Sequence, residues 1–325
     1  MKVLITGATG FVGHHLVRRE LKRGHRVKAL VRKTSRYQSL KANNVEVVFG
    51  DLGDRMALRS ACSNVNVIYH AAGLLGKWEA SAQQLYQVNV EGVRNLMQAC
   101  MNGNLQHLIH LSAGGVTGPM ESGVADESYE CKPSTEYEKT KLQGEQLALE
   151  MADKYELPLS VVRPTFTYGP GDPHKLGLFK MVKKKRFIFI GNGESTVHPV
   201  YIDDLMDGIE LVAKQRPRGE VYIIGGQRPV TKRELVYTIA DALGVPMPRI
   251  HVPIALASLA AQILEATGNT LKFEPPLTSS RVAMMTKNWG MSIEKAKREL
   301  GYEPKVALPD GVRRTVDWYE KNNYL

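Results

Sequence analysis

The first half of the chain alternates short apolar runs with longer stretches in which apolar residues recur at helical spacing. The apolar runs predict six strands: Val3–Thr6, Val27–Val31, Val45–Phe49, Val67–His70, His107–Leu111 and Leu159–Val162. The periodic stretches between them predict four helices: Phe11–Arg23, Ala57–Ala61, Gln83–Met101 and Thr135–Lys154. The strands are apolar on both faces, which is typical of a parallel sheet covered by helices on both sides. The pattern therefore predicts an α/β fold with a doubly wound parallel sheet.

This regular alternation becomes irregular after Pro164. Loops such as TYGPGDPHKLG and FEPPLTSS stand there among further helical stretches, with no repeat and no low-complexity linker. We therefore expect one domain at residues 1–165 and a smaller C-terminal part at residues 166–325, packed against the first and interleaved with it.

Composition and charge narrow the classes of protein. The chain has 325 residues, 43% of them hydrophobic, with a formal net charge of +10. The densest basic run, Lys183–Arg186, is most typical of a solvated face, with an anionic substrate tail or a membrane surface as alternatives. Because no aromatic residues are interleaved with basic ones, no nucleic-acid partner is expected.

The cysteine and histidine positions favour a reducing compartment without a bound metal. The three cysteines, Cys62, Cys100 and Cys131, are widely spaced and form no C-x-x-C pair, so we expect a cytoplasmic protein without a disulfide framework. The nine histidines do not fall at ligand spacing with cysteine, and no metal is expected.

No apolar run is long enough for a membrane span. The start, MKVLITGATG, is expected to be a strand that ends in glycines and not a signal peptide. The longest apolar run, Val252–Leu264, is thirteen residues, a length typical of a buried or interfacial helix. Its alternatives are ordinary core, a helix that covers the substrate pocket, and a peripheral contact with a membrane.

A glycine-rich loop follows the first predicted strand. Gly7, Gly10 and Gly13 fall at G-x-x-G-x-x-G between this strand and an amphipathic helix. Such a loop needs one glycine for the tight turn, one where the backbone approaches a pyrophosphate and one where the helix packs against the strand. The free N–H groups of the following helix attract phosphate. This context predicts a Rossmann-type dinucleotide-binding domain at residues 1–165, which leaves residues 166–325 as a mainly substrate-binding part.

The end of the second predicted strand favours NADP over NAD. An acidic residue there would bind the ribose hydroxyls of NAD, but the chain has Arg32 and Lys33 instead. Two cations suit the 2′-phosphate of NADP. The alternative is an exposed basic loop without a ligand.

A Tyr-x-x-x-Lys pair opens the fourth predicted helix. Tyr137 and Lys141 are four residues apart and share one helix face. A lysine beside a tyrosine is expected to favour the phenolate and to lower the tyrosine pKa, which suits acid–base chemistry between an alcohol and a carbonyl. Lys141 on this face is also expected to bind the nicotinamide ribose.

These motifs, in this order, resemble the extended short-chain dehydrogenases/reductases, the family that includes nucleotide-sugar epimerases and 3β-hydroxysteroid-type dehydrogenases. The resemblance covers essentially the whole length. Two C-terminal runs, Ser292–Pro304 and Gly311–Trp318, are similar to the 3β-hydroxysteroid dehydrogenase-like and hopanoid-associated epimerase-like branch. The resemblance implies a homodimer. It also implies cofactor contacts beyond the residues already named: Thr9, Phe11, Val12, Asp51, Leu52, Ala71, Ala72, Gly73, the structural Asn89, and Pro164.

Two departures from the family pattern bear on catalysis and substrate. The family's catalytic Ser or Thr follows the fifth strand, and here an ungapped count falls on Ala113, whereas a loop longer by one residue gives the role to Ser112. We expect Ser112. The arginine that clamps the substrate pyrophosphate in nucleotide-sugar members is replaced by Val197, followed by His198, which either binds substrate or is a hydrogen-bonded loop residue.

The sequence therefore predicts an NAD(P)-dependent oxidoreductase that interconverts an alcohol and a carbonyl on a small, largely apolar substrate. Ser112, Tyr137 and Lys141 form the expected catalytic set. The main alternative is a nucleotide-sugar 4-epimerase or dehydratase that holds NAD tightly. A third is a non-catalytic cofactor-binding protein, against which the intact Tyr-Lys pair argues.

Overall fold

A computed structural model of the chain describes residues 1–76, 80–101, 105–271, 273 and 275–325. The elements of the first half are β1 (Lys2–Thr6), α1 (Phe11–Lys22), β2 (Arg26–Val31), α2 (Gln38–Ala42), β3 (Glu46–Phe49), α3 (Arg55–Cys62), β4 (Val67–His70), α4 (Ala82–Tyr86), α5 (Gly92–Cys100), β5 (His107–Leu111), α6 (Glu136–Lys154) and β6 (Leu159–Pro164).

The second half has shorter strands and several helices. Its elements are β7 (Phe166–Tyr168), α7 (Leu176–Lys183), β8 (Phe189–Ile190), β9 (Thr196–Val197), β10 (Pro199–Tyr201), α8 (Ile202–Gln215), β11 (Glu220–Ile224), β12 (Val230–Thr231), α9 (Lys232–Ala242), β13 (His251–Val252), α10 (Ile254–Leu271), α11 (Ser279–Thr286), α12 (Glu294–Leu300) and α13 (Leu308–Lys321).

The central feature is a seven-stranded parallel sheet in the order β11-β6-β5-β4-β1-β2-β3. From β1 the chain moves outward to β2 and β3, then returns to β4 on the other side of β1. A crevice opens at the carboxyl ends of β1 and β4, because the helices that follow them lie on opposite faces of the sheet. The predicted α/β class and Rossmann-type doubly wound sheet are confirmed.

The strand bounds agree closely with the sequence prediction because each strand of the first half is a short, largely apolar run between polar or turn-forming residues. Two buried apolar clusters, one of them containing Ile5 and the other Leu4, cover the two faces of the sheet. The domain boundary at residue 165 stays a prediction. The seventh strand, Glu220–Ile224, comes from beyond that boundary and pairs with β6 in register.

The predicted helix Gln83–Met101 differs in one respect. The chain is helical throughout Ala82–Cys100, but a π-helical turn at Gln87–Glu91 separates α4 from α5. One extra residue per turn changes the direction in which later side chains point, and such turns are frequent at functional sites. Here the π turn carries Asn89, whose contacts are described below.

Polar contacts hold the C-terminal segments together and join them to the end of β11. The carboxylate of Asp204, in the first turn of α8, accepts hydrogen bonds from the backbone N–H groups of Lys305 and Val306 at 2.9 and 3.0 Å. The hydroxyl of Tyr302 donates to the Gly225 carbonyl at 2.7 Å, directly after β11. Within the described ranges, no helix has both the length and the apolarity needed to cross a membrane.

Candidate active site

The glycine loop between β1 and α1 has the geometry expected for a bound phosphate. Gly7 has φ of 72°, a region that glycine adopts readily, and a Cβ there would lie 2.6 Å from the backbone nitrogen of Ala72. Gly13 packs so closely against the Gly7 carbonyl that a side chain has no room. Gly10 caps α1 without a side-chain hydrogen bond, and no acidic residue lies in the first turn. The first N–H groups of α1 and the positive end of its dipole therefore fit a pyrophosphate.

The other predicted loop residues lie at the same helix terminus. Thr9 is exposed, while Phe11 and Val12 are partly buried in the first turn of α1. His15, one turn further, lies with its Nε2 3.1 Å from the carbonyl oxygen of Pro170. This contact joins the loop after β7 to the phosphate-binding helix.

Arg32 lies at the mouth of the cofactor crevice. It is one of the residues around a cavity of about 570 Å³, together with Leu74, Leu75 and Gln87. Lys33 is exposed beside it. A cation on the wall of this cavity, directly after β2, occupies the position where an acid would bind the adenosine ribose.

The predicted adenine-contact residues, Asp51 and Leu52, make hydrogen bonds within the protein. The Asp51 carboxylate accepts hydrogen bonds from the backbone N–H groups of Gly53 and Asp54 at 2.8 and 3.2 Å. Leu52 is buried, and its carbonyl accepts a hydrogen bond from the side-chain amide of Asn95 at 2.9 Å. These contacts fix the turn after β3, and an adenine contact at these residues stays a prediction.

Asn89 holds the loop after β4 against α6. Its amide oxygen accepts from the Leu74 N–H at 2.8 Å, and its amide nitrogen donates to the Leu74 carbonyl at 3.0 Å and to the Thr140 hydroxyl at 3.2 Å. A Cβ at Gly73 would lie 3.3 Å from the Asn89 amide oxygen and 3.8 Å from the Lys141 Nζ. The predicted structural role of Asn89 thus has a specific geometry in which one buried amide joins three segments.

The same loop approaches the tyrosine. A Cβ at Gly76 would lie 2.7 Å from the Cβ of Tyr137, so only glycine allows this approach. Sequence reasoning missed Gly76, because nothing in its local sequence shows which side chain it faces. Ala71 and Ala72 begin the loop and bond through their N–H groups to the Thr6 carbonyl and hydroxyl oxygens at 3.2 and 3.3 Å.

Tyr137 lies in the first turn of α6, in a firmly fixed position. A capping box starts the helix: the Thr135 hydroxyl accepts from the Glu138 N–H at 3.2 Å, and the Glu138 carboxylate accepts from the Thr135 N–H at 3.0 Å. The same carboxylate also accepts from the N–H and the hydroxyl of Ser134 at 2.8 and 2.9 Å. These bonds fix the start of the helix, and with it the direction of the half-buried Tyr137 ring.

The expected lowering of the Tyr137 pKa is wrong for this structure. Burial raises the pKa of Tyr137 to about 12, and the negative charge of Glu138 acts in the same direction. Helical spacing placed Lys141 on the same face but gave no measure of desolvation, and desolvation is the largest cause of the raised pKa. Tyr137 is therefore protonated at neutral pH and is poised to donate a proton.

Lys141 is buried beneath the tyrosine. Its ammonium group donates to the carbonyl oxygen of Leu111, at the end of β5, at 2.8 Å. Burial lowers the pKa of Lys141 to about 8, while the nearby Glu145 carboxylate partly opposes this shift. The charged form still predominates at neutral pH, so a cation lies between the fifth strand and the tyrosine-bearing helix.

Ser112 has a free hydroxyl at this point and Thr117 does not. Ser112 directly follows β5 and is 7% exposed, and its Oγ has no hydrogen-bond partner among the described residues. The Thr117 hydroxyl donates to the carbonyls of Gly114 and Gly118 within a 3₁₀ turn. Ala113 is partly buried and has no polar side-chain atom. An unpaired buried hydroxyl is costly unless a ligand satisfies it, which favours Ser112 as the substrate-binding group.

Two buried histidines lie on the strands beneath Lys141. The Nδ1 of His70 is 2.7 Å from the Thr6 hydroxyl, and its ring centroid is 5.1 Å from that of His110. Burial lowers the pKa of His70 to about 3 and that of His110 well below its usual range, with the Lys141 charge acting in the same direction. Both rings are therefore neutral and do not repel the lysine. The sequence gave no signal for His110, which lies inside an ordinary strand pattern.

A buried ion pair fixes α6 to β6. The Arg163 guanidinium binds the Glu145 carboxylate with contacts of 2.5, 3.1 and 3.2 Å, and the side chains are 6% and 2% exposed. Pro164 follows Arg163 at the end of β6, and its carbonyl faces Gly114. The pair therefore holds the helix of Tyr137 and Lys141 against the strand beside Ser112.

Val197, which stands where a pyrophosphate-binding arginine was expected, and the following His198 are both buried. Val197 is 6% exposed within the apolar core. The two ring nitrogens of His198 lie 2.8 and 2.9 Å from the carbonyl oxygens of Met291 and Gly226, and the buried ring fits against Gly225. Of the two alternatives for His198, the hydrogen-bonded loop residue is the one that the structure has.

The part of the chain that carries these residues is similar to a known protein family. Residues 3–225, which contain the glycine loop, Ser112, Tyr137 and Lys141, match the model of the NAD dependent epimerase/dehydratase family. The chain belongs to this family. Its relatives include the 2-alkyl-3-oxoalkanoate reductase of Stenotrophomonas maltophilia, 32% identical over 97% of this chain and 98% of the relative. Another is a farnesyl dihydroquinoline-oxide ketoreductase of Stigmatella aurantiaca, 28% identical over 96% and 95%.

Two solved structures align with this chain over essentially its whole length. The crystal structure of gox2253 aligns with a TM-score of 0.86 at 28% identity and covers 99% of both chains. The UDP-glucuronic acid 4-epimerase of Bacillus cereus in complex with NAD aligns with a TM-score of 0.80 at 25% identity and covers 100% of both. The expected extended short-chain dehydrogenase/reductase family and the expected oxidoreductase activity with a nicotinamide cofactor are confirmed.

Proposed function

We propose that this family member is an NADP-preferring reductase or dehydrogenase that interconverts a ketone and an alcohol on a largely apolar substrate. The observation that carries the proposal is the buried hydroxyl of Ser112, which has no hydrogen-bond partner among the described residues and lies next to the Lys141–Leu111 contact. Ser112, Tyr137 and Lys141 supply a hydrogen-bond donor, a proton donor and a cation, and together they suit a carbonyl oxygen that becomes an alkoxide.

Each residue has a distinct part in the proposed reaction. Ser112 donates a hydrogen bond to the substrate oxygen, and Tyr137, protonated because burial raises its pKa, delivers a proton to that oxygen as the alcohol forms. Lys141 places a positive charge beneath both groups and stabilises the tyrosinate that remains. The nicotinamide cofactor, when bound, supplies or accepts the hydride at the carbonyl carbon.

The cofactor fits the residues at the crevice. The uncapped terminus of α1 suits the pyrophosphate, and Gly7 and Gly13 leave room for the backbone to approach it. Arg32, on the cavity wall, is the group that would bind a 2′-phosphate, with the exposed Lys33 beside it. These residues support a preference for NADP over NAD.

The substrate side supports an apolar ligand. A buried diphosphate needs charged partners. Where nucleotide-sugar members have the pyrophosphate-binding arginine, this chain has the core residue Val197. Both ring nitrogens of the next residue, His198, already contact backbone carbonyls. The basic run Lys183–Arg186 offers no buried replacement for them, because Lys183 pairs with Glu320 on α13 at 2.9 Å and the next three residues are exposed. The names of the two relatives described above point the same way, since they denote an alkyl-oxoalkanoate and a farnesyl quinoline derivative.

A substrate comparison tests this proposal against the epimerase alternative. We expect purified protein to oxidise NADPH with 2-alkyl-3-oxoalkanoates or sterol ketones, and we expect thermal stabilisation by these ligands. UDP-glucose and UDP-glucuronic acid are the matched controls. Saturable stabilisation by a nucleotide sugar, together with NAD retained through purification and no net oxidation of NADPH, would make the epimerase activity the correct one.

Compartment and assembly belong to the same proposal. Cys62 and Cys100 are buried free thiols with sulfur atoms 4.0 Å apart, an arrangement that favours a reducing cytoplasm. The homodimer is inferred from the family resemblance. Light scattering on the purified protein measures the assembly directly.

A further inference from the structure

Thr165 carries a second buried hydroxyl without a partner. In the described part of the chain, the hydroxyls of Ser112 and Thr165 are buried and make no hydrogen bond. Thr165 is 8% exposed and directly follows β6, just as Ser112 directly follows β5. A buried hydroxyl without a partner costs free energy unless a ligand or a water molecule satisfies it. The catalytic set does not use Thr165, so its hydroxyl is free for another contact.

Backbone hydrogen bonds place Thr165 at the same edge of the sheet as Ser112. Strands β5 and β6 pair with Leu111 opposite Val162, and the Ser112 N–H donates to the Val162 carbonyl at 2.8 Å. The Thr165 N–H donates to the Ile224 carbonyl at 3.0 Å and so continues the ladder between β6 and β11. With strands about 4.8 Å apart and a rise of about 3.3 Å per residue, the Cα atoms of Ser112 and Thr165 lie about 8 Å apart.

The two residues share one face of the sheet. The β5–β6 register, continued by one residue, sets Ser112 level with Arg163, which binds Glu145 on α6. Thr165 is two residues beyond Arg163 and therefore lies on the same side of the strand. The next residue, Phe166, packs against the apolar cluster of the opposite face, as this alternation requires. Because α6 also carries the catalytic tyrosine and lysine, Thr165 lies on the catalytic face of the sheet.

The loop after β5 packs directly on the end of β6. A Cβ at Gly114 would lie 2.9 Å from the carbonyl oxygen of Pro164 and 2.8 Å from the sulfur and the methyl carbon of Met291. The segments that carry the two free hydroxyls are therefore in contact. A ligand that spans them passes a backbone carbonyl and an apolar thioether, which suits a largely apolar chain with few polar groups.

We propose that Thr165 binds a second oxygen of the substrate while Ser112 binds the oxygen that reacts. Two hydroxyls whose Cα atoms are about 8 Å apart can donate to two oxygens separated by about two or three carbon atoms. The substrate class is then a ketone with a nearby carboxyl or ester group, as in a 3-oxo acid. Thr165 is β-branched, and its restricted χ1 torsion holds the hydroxyl in one direction. The inference rests on the proposed function, which gives the reacting oxygen to Ser112.

Two alcohols that differ only in the carboxyl group test the proposal. The full chain is assayed with NADP⁺ on 3-hydroxydodecanoate and on 2-undecanol, which is the same chain without the carboxyl group. We expect the parent to prefer the hydroxy acid in kcat/KM by roughly 10- to 100-fold, the range for a buried hydrogen bond that loses its partner. Thr165→Val should remove this preference, mainly through KM, and leave the oxidation of 2-undecanol unchanged.

Two further variants separate binding from structure. Thr165→Ser keeps the hydroxyl and should retain the preference for the hydroxy acid. Thr167→Val is the matched control, because it removes a hydroxyl that donates to the Thr165 carbonyl at 3.1 Å. It should lower the melting temperature slightly and leave the preference intact. Thr165→Val should keep the parent melting temperature, because its hydroxyl has no partner among the described residues.

Three results would overturn the inference and leave the proposed function standing. The first is an equal kcat/KM of the parent for the two alcohols. The second is a preference for the hydroxy acid that survives Thr165→Val. The third is weaker binding of NADPH by Thr165→Val in calorimetry, since the hydroxyl would then belong to the cofactor site. No oxidation of either alcohol and no reduction of the ketones named above would instead remove the proposed function, and this inference with it.

Discussion

The ammonium group of Lys141 donates a 2.8 Å hydrogen bond to the carbonyl oxygen of Leu111, the residue directly before Ser112. This bond joins the helix that carries the proton donor to the strand end that carries the free hydroxyl. A single buried cation therefore sets the distance between the two groups that face the substrate oxygen. Changes at any one of the three residues should affect the rate in ways that separate their roles.

Tyr137→Phe should lower kcat by roughly 10²–10⁴, the range for loss of a general acid, while the affinity for the cofactor is nearly kept. The ring remains in place, so the melting temperature should change little. Tyr155→Phe, an exposed tyrosine at the end of the same helix, is the matched control and should be silent. Steady-state kinetics and calorimetry measure both quantities, and a Tyr137→Phe rate within about two-fold of the parent would remove the tyrosine from the mechanism.

Ser112→Ala and Thr117→Val should have opposite signatures. Loss of the Ser112 donor is expected to lower kcat by roughly 10²–10³ without loss of stability, because its hydroxyl has no partner among the described residues. Thr117→Val removes hydrogen bonds to two carbonyls and should cost about 1 kcal/mol of unfolding free energy, with kcat largely kept. Kinetics and urea denaturation of both variants check this, and the reverse result would assign the catalytic hydroxyl to Thr117.

The pH profile of kcat/KM should fall above about pH 8. Burial lowers the pKa of Lys141 to about 8, so its ammonium loses its proton as the pH rises through that value. The Tyr137 pKa of about 12 is too high to produce this limb. Lys141→Arg keeps the charge to high pH and should abolish the limb at a reduced rate. A limb that persists in Lys141→Arg would belong to another group.

Arg32 should decide between the two cofactors. A charge-assisted contact with the 2′-phosphate supports a preference for NADPH of roughly ten-fold or more. Calorimetry with NADPH and NADH measures it, and Arg32→Ala should erase the difference. Arg36→Ala, an exposed cation nearby in the chain, should not. Tighter binding of NADH by the parent protein would contradict the assignment of Arg32.

Buried histidines should make the fold sensitive to acid. Burial lowers the pKa of His70 to about 3 and that of His107 to about 4. The unfolded chain binds protons near pH 6.5 and the folded one does not, so stability is lost as the pH falls below that value. At about pH 5 each group should cost about 2 kcal/mol of unfolding free energy. Urea denaturation checks this: His107→Leu should lose less stability between about pH 7.5 and pH 5 than the parent.

The sequence predicted best the strands that are buried on both faces of the sheet. The strand His107–Leu111, for example, is buried along its whole length and has the predicted bounds. Helix α6 was predicted to begin at Thr135 and begins at Glu136. The agreement is close because the Thr135–Glu138 capping box can be read from the local sequence. The π turn at Gln87–Glu91 was not predictable, because it depends on where Asn89 finds its partners.

The sequence named candidate residues for the site but not the energetics of their side chains, and the roles of these residues stay predictions. Residue spacing placed Tyr137 and Lys141 on one face, but it could not measure how far burial would raise the pKa of the tyrosine. The same limit applied to the apolar run that became α10. Its apolar residues fall on every side of the helix, so periodicity could not show that Ala257 and Ala261 would be buried while Leu256 and Leu259 would be exposed.

The buried pair of Glu145 and Arg163 constrains how this protein can change over generations. Replacing one partner leaves the other as an uncompensated buried charge, which costs about 3–5 kcal/mol. Replacing both with well-packed apolar residues is close to neutral. A change from the ion pair to an apolar pair must therefore pass through a single substitution that destabilises the fold. Descendants of this chain should carry both residues or neither, even though the positions are eighteen apart in the sequence.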